Sequence, residues 1–274
     1  RFYVRRARRI FPVLFLTLAA TLVAGYLFFS DQHLVRLGGS ALSAVFSLSN
    51  FYFWGEAGYF DTAASLKPLL HTWSLGIEEQ FYLLWPAVLV LLLARFPRWA
   101  PLVFIVLGGA LSLFLSEFFV RWPSIAFFLL PFRAFEFGLG AILVWAERGR
   151  FKNAFLRELC VALGLGLITY SVLLFDAETP FPGLHALVPC VGTSLIIYAG
   201  ETRFLSRILS NPLAVAMGLI SYSLYLVHWP LVVFYKYLGD GSLDVGARWQ
   251  IALASVFLAA LMYRFVERPF RYGR

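Results

Sequence analysis

The chain has 274 residues, of which 61% are hydrophobic and 14% charged, against roughly 45–50% and about 25% in an ordinary soluble domain. That composition excludes a soluble globule, a disordered tail and a disulfide scaffold. The net charge of +8 would suggest nucleic acid in a soluble protein, but basic residues collect in the cytoplasmic loops of membrane proteins, so no nucleic-acid partner is expected.

A spanning helix needs about 20 mostly apolar residues. The apolar runs are continuous, as in Val88–Leu93 and Leu253–Met262, whereas a membrane barrel alternates apolar and polar residues. The reading is an all-α, polytopic membrane bundle with about eight spanning helices and one interfacial or re-entrant helix, forming a single membrane-embedded domain over residues 1–274.

The first element is Arg1–Arg9, with five arginines, leading into the span Ile10–Phe29. Arg5 and Arg8, like Arg6 and Arg9, lie at i,i+3 and share a helix face. Guanidinium forks bind phosphate bidentately, so the run reads either as a positive-inside anchor or as an anion site. The chain starts on Arg1 and is read as a fragment with something before it. Next comes Leu34–Trp54, which carries Arg36, Gly38, Gly39, four serines and Asn50. With Arg1–Arg9 inside and Gly55–His71 outside, an odd number of crossings must separate them, so this segment is expected not to cross.

The span Trp73–Ala94 opens with His71-Thr72-Trp73-Ser74-Leu75-Gly76-Ile77-Glu78-Glu79-Gln80-Phe81-Tyr82. His71, Ser74, Glu78 and Tyr82 form one polar stripe on a helix, while Glu79 lies about 100° away. A capped interfacial helix end is the bland alternative. The spans Pro101–Phe119 and Ile125–Ala146 follow, the second with the pair Arg133 and Glu136 after Pro131. That pair is either a structural ion pair or a substrate contact facing a polar cavity, since intramembrane charges usually mark a site. Cys160 and Cys190 fall in Leu159–Phe175 and Leu184–Ala199. They show no metal spacing and read as packing residues; no metal site is expected. In Pro212–Tyr237, Ser221, Tyr225 and His228 share one face, with Tyr222 beside them. The last span is Trp249–Phe265. Basic loops at Arg95–Arg98, Arg148–Arg157, Arg203–Arg207 and Arg264–Arg274 are expected in the cytoplasm, and Phe119–Ser124 and Asp176–Pro182 outside. His33 and His185 receive no role.

The stretches RFYVRRARRIFP, LKPLLHTWSLGIEEQFYLLWP, PFRAFEFGLGAIL, ISYSLYLVHWPLVVF and YRFVERPFR, in this order, resemble the acyltransferase-3 family of integral membrane O-acyltransferases. The likeness is greatest to bacterial members that O-acetylate surface polysaccharides such as lipopolysaccharide O-antigen. It implies a multi-pass protein of the bacterial inner membrane, with no permanently bound cofactor. Acyl-CoA, most simply acetyl-CoA, would be the donor, and a sugar hydroxyl of a lipid-linked or periplasmic glycan the acceptor. GYFDTAASLKPLLHTWSL resembles members with a periplasmic SGNH domain, which is thus an expected partner in cis or in trans; the 274 residues include none. The family's first two spans, which carry an Arg and, ten residues on, a His, would precede Arg1. The fragment alone is therefore expected to be inactive.

On this reading Glu78, His71 and His228 are the catalytic candidates. Glu78 occupies the Glu position of the family's W-x-L-x-x-E pattern. Arg5, Arg6, Arg8 and Arg9 would hold the donor's phosphates, and Trp73, Ser74, Tyr82, Arg133, Glu136, Tyr222 and Tyr225 would contact substrates. Attack on a thioester develops an oxyanion that needs a donor, for which Arg133, Tyr225 and His228 are candidates. The rival readings are a transporter or flippase for a glycan or anionic solute, which predicts pseudo-repeats and paired broken helices, and a structural scaffold, which leaves the polar clusters unexplained.

Overall fold

The computed structural model describes residues 2–57, 66–176, 178–239 and 241–273. Arg1 of the basic start and residues 58–65 of the expected Gly55–His71 loop lie outside the described residues. In chain order the helices are α1 (Phe2–Phe28), α2 (Asp31–Val45), α3 (Ser49–Glu56), α4 (Thr72–Arg95), α5 (Ala100–Phe118), α6 (Pro123–Phe128) and α7 (Ala134–Ala146). They continue with α8 (Ala154–Leu174), α9 (Gly183–Ala199), α10 (Ser206–Ser210), α11 (Pro212–Leu238), α12 (Val245–Met262), a π turn (Tyr263–Glu267) and α13 (Arg268–Tyr272). Among the described residues there is no strand. The all-α membrane architecture follows from the bilayer, where only a helix satisfies its own backbone hydrogen bonds along a single segment.

Among the described residues, six helices are long and apolar enough to cross a membrane: α1, α4, α5, α8, α11 and the run from α12 through α13. Two of the eight expected spans differ. Ile125–Ala146 is not one helix. It breaks into α6, a 3₁₀ turn at Leu130–Phe132 and α7 of 13 residues. Pro131 is the cause: it has no N–H to donate, and in a continuous helix its ring would clash with the carbonyl one turn back. Leu129, two residues before it, is extended, with φ −108° and ψ 134°. The other difference is α9, whose 17 residues fall just short of the usual spanning length. Leu34–Trp54 divides into α2 and α3 around Ser47, at φ 57°. With 15 and 8 residues, neither is long enough to span, as expected of a segment that does not cross.

The chain forms two compact units, one of residues 1–76 and 215–274, the other of residues 77–214. In the first, α1 packs on α2 and, near its basic end, on the π turn and α13, while α2 packs on α3. Its core includes Val13, Leu14, Leu37, Phe53, Leu69, Leu226 and Val233, all nearly fully buried. The start of α4 is pressed against α3. A Cβ on Gly76 would lie 3.0 Å from Asn50 Oδ1 and 3.2 Å from the Ser47 carbonyl oxygen, so only glycine fits without displacement. Ser49 closes this contact by donating to the Thr72 carbonyl at 2.7 Å.

In the second unit α8 packs on α9, and α5 on both α7 and α9. Small residues allow the close approach. A Cβ on Gly192 would come within 2.8 Å of the Gly164 carbonyl oxygen. Cys160 is buried with Val161 and Ala199 in this packing, as its reading as a small hydrophobe required.

Candidate active site

The polar cluster of the first unit is assembled from the start of α4 and the middle of α11. His71 lies in the turn just before α4 and is 7% exposed. Its ring packs edge-on against Tyr225 at 5.2 Å between centroids and against His228 at 5.7 Å. The Tyr225 hydroxyl donates to the His71 carbonyl. With its one proton so placed, the Tyr225 oxygen is the acceptor in its 2.5 Å hydrogen bond with Ser74. Tyr225 thus clamps the backbone of His71 and takes Ser74 with it.

Pro230 shapes the same site. It has no N–H, so the Leu226 carbonyl one turn earlier lacks a helical donor. The His71 imidazole faces the Leu226 and Pro68 carbonyls, without an aligned hydrogen bond to either ring nitrogen among the described residues. Burial first, and the neighbouring His228 second, push the His71 pKa down to about 3. The ring is therefore neutral at physiological pH and a weak base. The turn that carries it is pinned from α11 as well, because Trp229 Nε1 donates to the Lys67 carbonyl at 2.9 Å. Lys67 in turn reaches Glu56 of α3 at 3.4 Å.

His228 is arranged differently. Its Nδ1 lies 3.2 Å from the Leu224 carbonyl. A carbonyl accepts only, so Nδ1 is the donor, and in the neutral ring Nε2 is the nitrogen that keeps a lone pair. His228 lines an open cleft of about 570 Å³ with Ser221 and Tyr225 of α11 and Arg248 and Ser255 of α12. The rest of the wall is apolar. Ser255 is 3% exposed, and its hydroxyl has no hydrogen-bond partner among the described residues. The cleft is thus lined by an imidazole, a phenol and serines on otherwise apolar walls.

The structure places the other sequence candidates as follows. Ser74, Glu78 and Tyr82 fall at i, i+4 and i+8 of α4, along one face, and Trp73, Glu78 and Tyr82 are all half-buried. Tyr222 does not line the cleft; its hydroxyl donates to the Ile10 carbonyl of α1 at 2.9 Å. Arg5, Arg8 and Arg9 are exposed on the first turns of α1, and Arg6 is half-buried. In the second unit Arg133 and Glu136 pair at 2.8 Å, at the break between the 3₁₀ turn and α7. The Arg133 guanidinium also lies 5.6 Å from the Phe127 ring and 5.5 Å from the Phe181 ring. Four contributors escaped the sequence reading: Lys67, Trp229, Ser255 and the buried Glu267, which accepts from Ser223 at 2.9 Å. Lys67, Trp229 and Glu267 sit inside the recognised stretches. Ser255 carries no signal beyond being polar in an apolar run.

Three known proteins cover 98% of this chain. YrhL of Bacillus subtilis (strain 168), provisionally named a peptidoglycan O-acetyltransferase, is 31% identical over 293 residues. BcsY of Komagataeibacter xylinus, provisionally named a membrane-bound transacylase, is 33% identical over 273 residues. SACOL0978 of Staphylococcus aureus (strain COL), provisionally named an O-acetyltransferase, is 31% identical over 289 residues. The chain spans 45% of the length of YrhL, 47% of SACOL0978 and 68% of BcsY. No solved structure matches it. The acyltransferase-3 family model, described as an acyltransferase domain, matches residues 1–264. A chain matched over nearly its whole length, with the helices and polar clusters described above, belongs to the acyltransferase-3 family of membrane acyltransferases.

Proposed function

We propose that the protein is a multi-pass O-acyltransferase of the bacterial inner membrane. It moves an acyl group, acetyl in the simplest case, from acyl-CoA to a sugar hydroxyl of a cell-surface or lipid-linked glycan. The observation that carries this reading is His228, its Nδ1 turned to the Leu224 carbonyl, lining a cleft with Ser221, Tyr225 and Ser255. A sugar hydroxyl is a poor nucleophile and needs a base within hydrogen-bond reach. In the proposed step the acceptor oxygen bonds to the thioester carbonyl carbon as its proton passes to Nε2 of His228. The carbonyl electrons shift onto oxygen, then return as the C–S bond breaks, and the coenzyme A thiolate leaves and takes up a proton. His71 is the lesser base, because burial disfavours its charged form. Its turn, clamped by Tyr225 and Trp229, forms the wall behind His228. Arg5, Arg6, Arg8 and Arg9 hold the donor's phosphates. The provisional naming of YrhL and SACOL0978 as O-acetyltransferases supports the choice of acetyl and of an oxygen acceptor.

The test uses the natural full-length protein in proteoliposomes with acetyl-CoA and surface glycans. Expected is release of free coenzyme A that depends on the glycan, reduced about a hundredfold in kcat by His228→Ala, at the low end of general-base effects. A wild type that consumes no thioester with any glycan, yet carries one across the bilayer, would establish the transporter reading instead.

A further inference from the structure

The two ends of the sequence meet at one level of the first unit. On α11, Tyr222 donates to the Ile10 carbonyl of α1, and its neighbour Ser223 donates to Glu267 Oε2, both at 2.9 Å. The π turn that carries Glu267 and the α13 helix after it both pack on α1. Below Ile10, α1 holds Arg9, Arg8, Arg6 and Arg5. Past Glu267, α13 holds Arg268 and Arg271. Two arginine runs from opposite ends of the chain are thus brought side by side.

A positive-inside signal needs only basic residues in a loop. This end of the unit has two costlier features. Glu267 is a carboxylate 1% exposed, and a buried ion is expensive unless fully satisfied. Its Oε1 has no hydrogen bond among the described residues and sits 3.6 Å from Arg271 Nη1. The π turn is the second feature, a rare distortion that recurs at functional sites. Together they draw Nη1 of Arg271 toward Glu267, beside the exposed Arg268. A planar fork held in place loses less freedom when it binds an anion.

We infer that α13 and the basic end of α1 form one composite phosphate-binding surface, on which Arg268 and Arg271 take phosphate groups of the coenzyme A donor. Glu267 is a positioning residue that fixes Arg271 and seats the π turn against α11. The inference rests on the acyl-CoA reading above and adds the C-terminal half of the donor site.

The experiment measures calorimetric binding of coenzyme A and of phosphate-free pantetheine to the natural full-length protein in phosphatidylcholine nanodiscs. The variants are Arg268→Gln, its double with Arg271→Gln, and Glu267→Gln. For the double variant, coenzyme A binding should weaken about tenfold, the scale of one charge-assisted hydrogen bond, while pantetheine binding is unchanged. That pantetheine control shows that the site is folded. Arg268→Gln, which disturbs no ion pair among the described residues, should lower the preference for coenzyme A over pantetheine in the same direction, and Glu267→Gln should do so more weakly. A double variant that binds coenzyme A like the wild type overturns the inference. So does an unchanged coenzyme A affinity accompanied by loss of the stabilisation given by phosphatidylglycerol nanodiscs, which would assign the arginines to a lipid headgroup. A wild type that binds no coenzyme A overturns the donor reading itself, and the inference with it.

Discussion

Tyr225 shows how one hydroxyl changes the role of a residue. Its position beside His228 on a helix face made it a candidate oxyanion donor. The fold commits its proton to the His71 carbonyl, so it acts by holding the His71 turn and Ser74. Tyr225→Phe keeps the ring packing and removes the clamp. The expected loss of stability is about 1 kcal/mol, the net value of an ordinary hydrogen bond, read as a shift in detergent melting temperature. In the transfer assay kcat should fall about tenfold with KM for the donor little changed, because the misplaced group lies beside His228, the proposed base. Wild-type kcat in Tyr225→Phe would remove the clamp from the mechanism.

At the level of elements, the broken segment of the second unit carries the most information. A continuous apolar run with one proline was expected to span, and Pro131 breaks it. The break exposes backbone that α7 can no longer satisfy, and Phe135 N–H finds the Ser112 hydroxyl of α5 at 3.1 Å. The Arg133–Glu136 pair fills the same break between aromatic rings. Its side chains are 13% and 19% exposed, so removing one partner strands the other in a poorly solvated place. Arg133→Ala should therefore cost about 3 kcal/mol, the lower end for a broken buried pair. Arg133→Ala with Glu136→Ala should recover most of that loss. Melting curves of the three proteins in one detergent decide the matter. A double variant no more stable than Arg133→Ala would mean that the pair is not the source of the cost. If the double variant recovers stability but not activity, Arg133 also contacts substrate.

Across the whole molecule, the net charge of +8 is concentrated in runs at the two ends of the sequence, and the first unit gathers those runs at one end of α1. Exposed charges are screened over about 10 Å at 0.1 M salt. Coenzyme A affinity should therefore fall steadily as salt is raised, while pantetheine affinity stays flat. Arg5→Ala with Arg8→Ala should flatten the salt dependence of coenzyme A in a correctly inserted protein. A salt-independent coenzyme A affinity in the wild type would argue against any arginine-based donor site.

The spans were legible from the amino-acid order because their cause is local. Each helix in lipid satisfies its own backbone, so a run of apolar residues is enough to announce it. The same locality made the stripe from Ser74 to Tyr82 and the Ser221–Tyr225–His228 face readable, since helical spacing alone sets them. Proline misled in Ile125–Ala146, where a long apolar run outweighed the meaning of Pro131. The assembled site is a different matter. Tyr225 and His71 are 154 residues apart, and Ser223 and Glu267 are 44 apart. No periodicity links such pairs. Their meeting depends on which helices pack together, on the Leu226 carbonyl that Pro230 leaves without a donor, and on the close approach that Gly76 allows between α4 and α3. Hydropathy and motif order were therefore enough for the architecture and the family. The partner of each buried polar group was decided by packing, because a group removed from water must find its hydrogen bonds wherever the fold brings a donor or acceptor within reach.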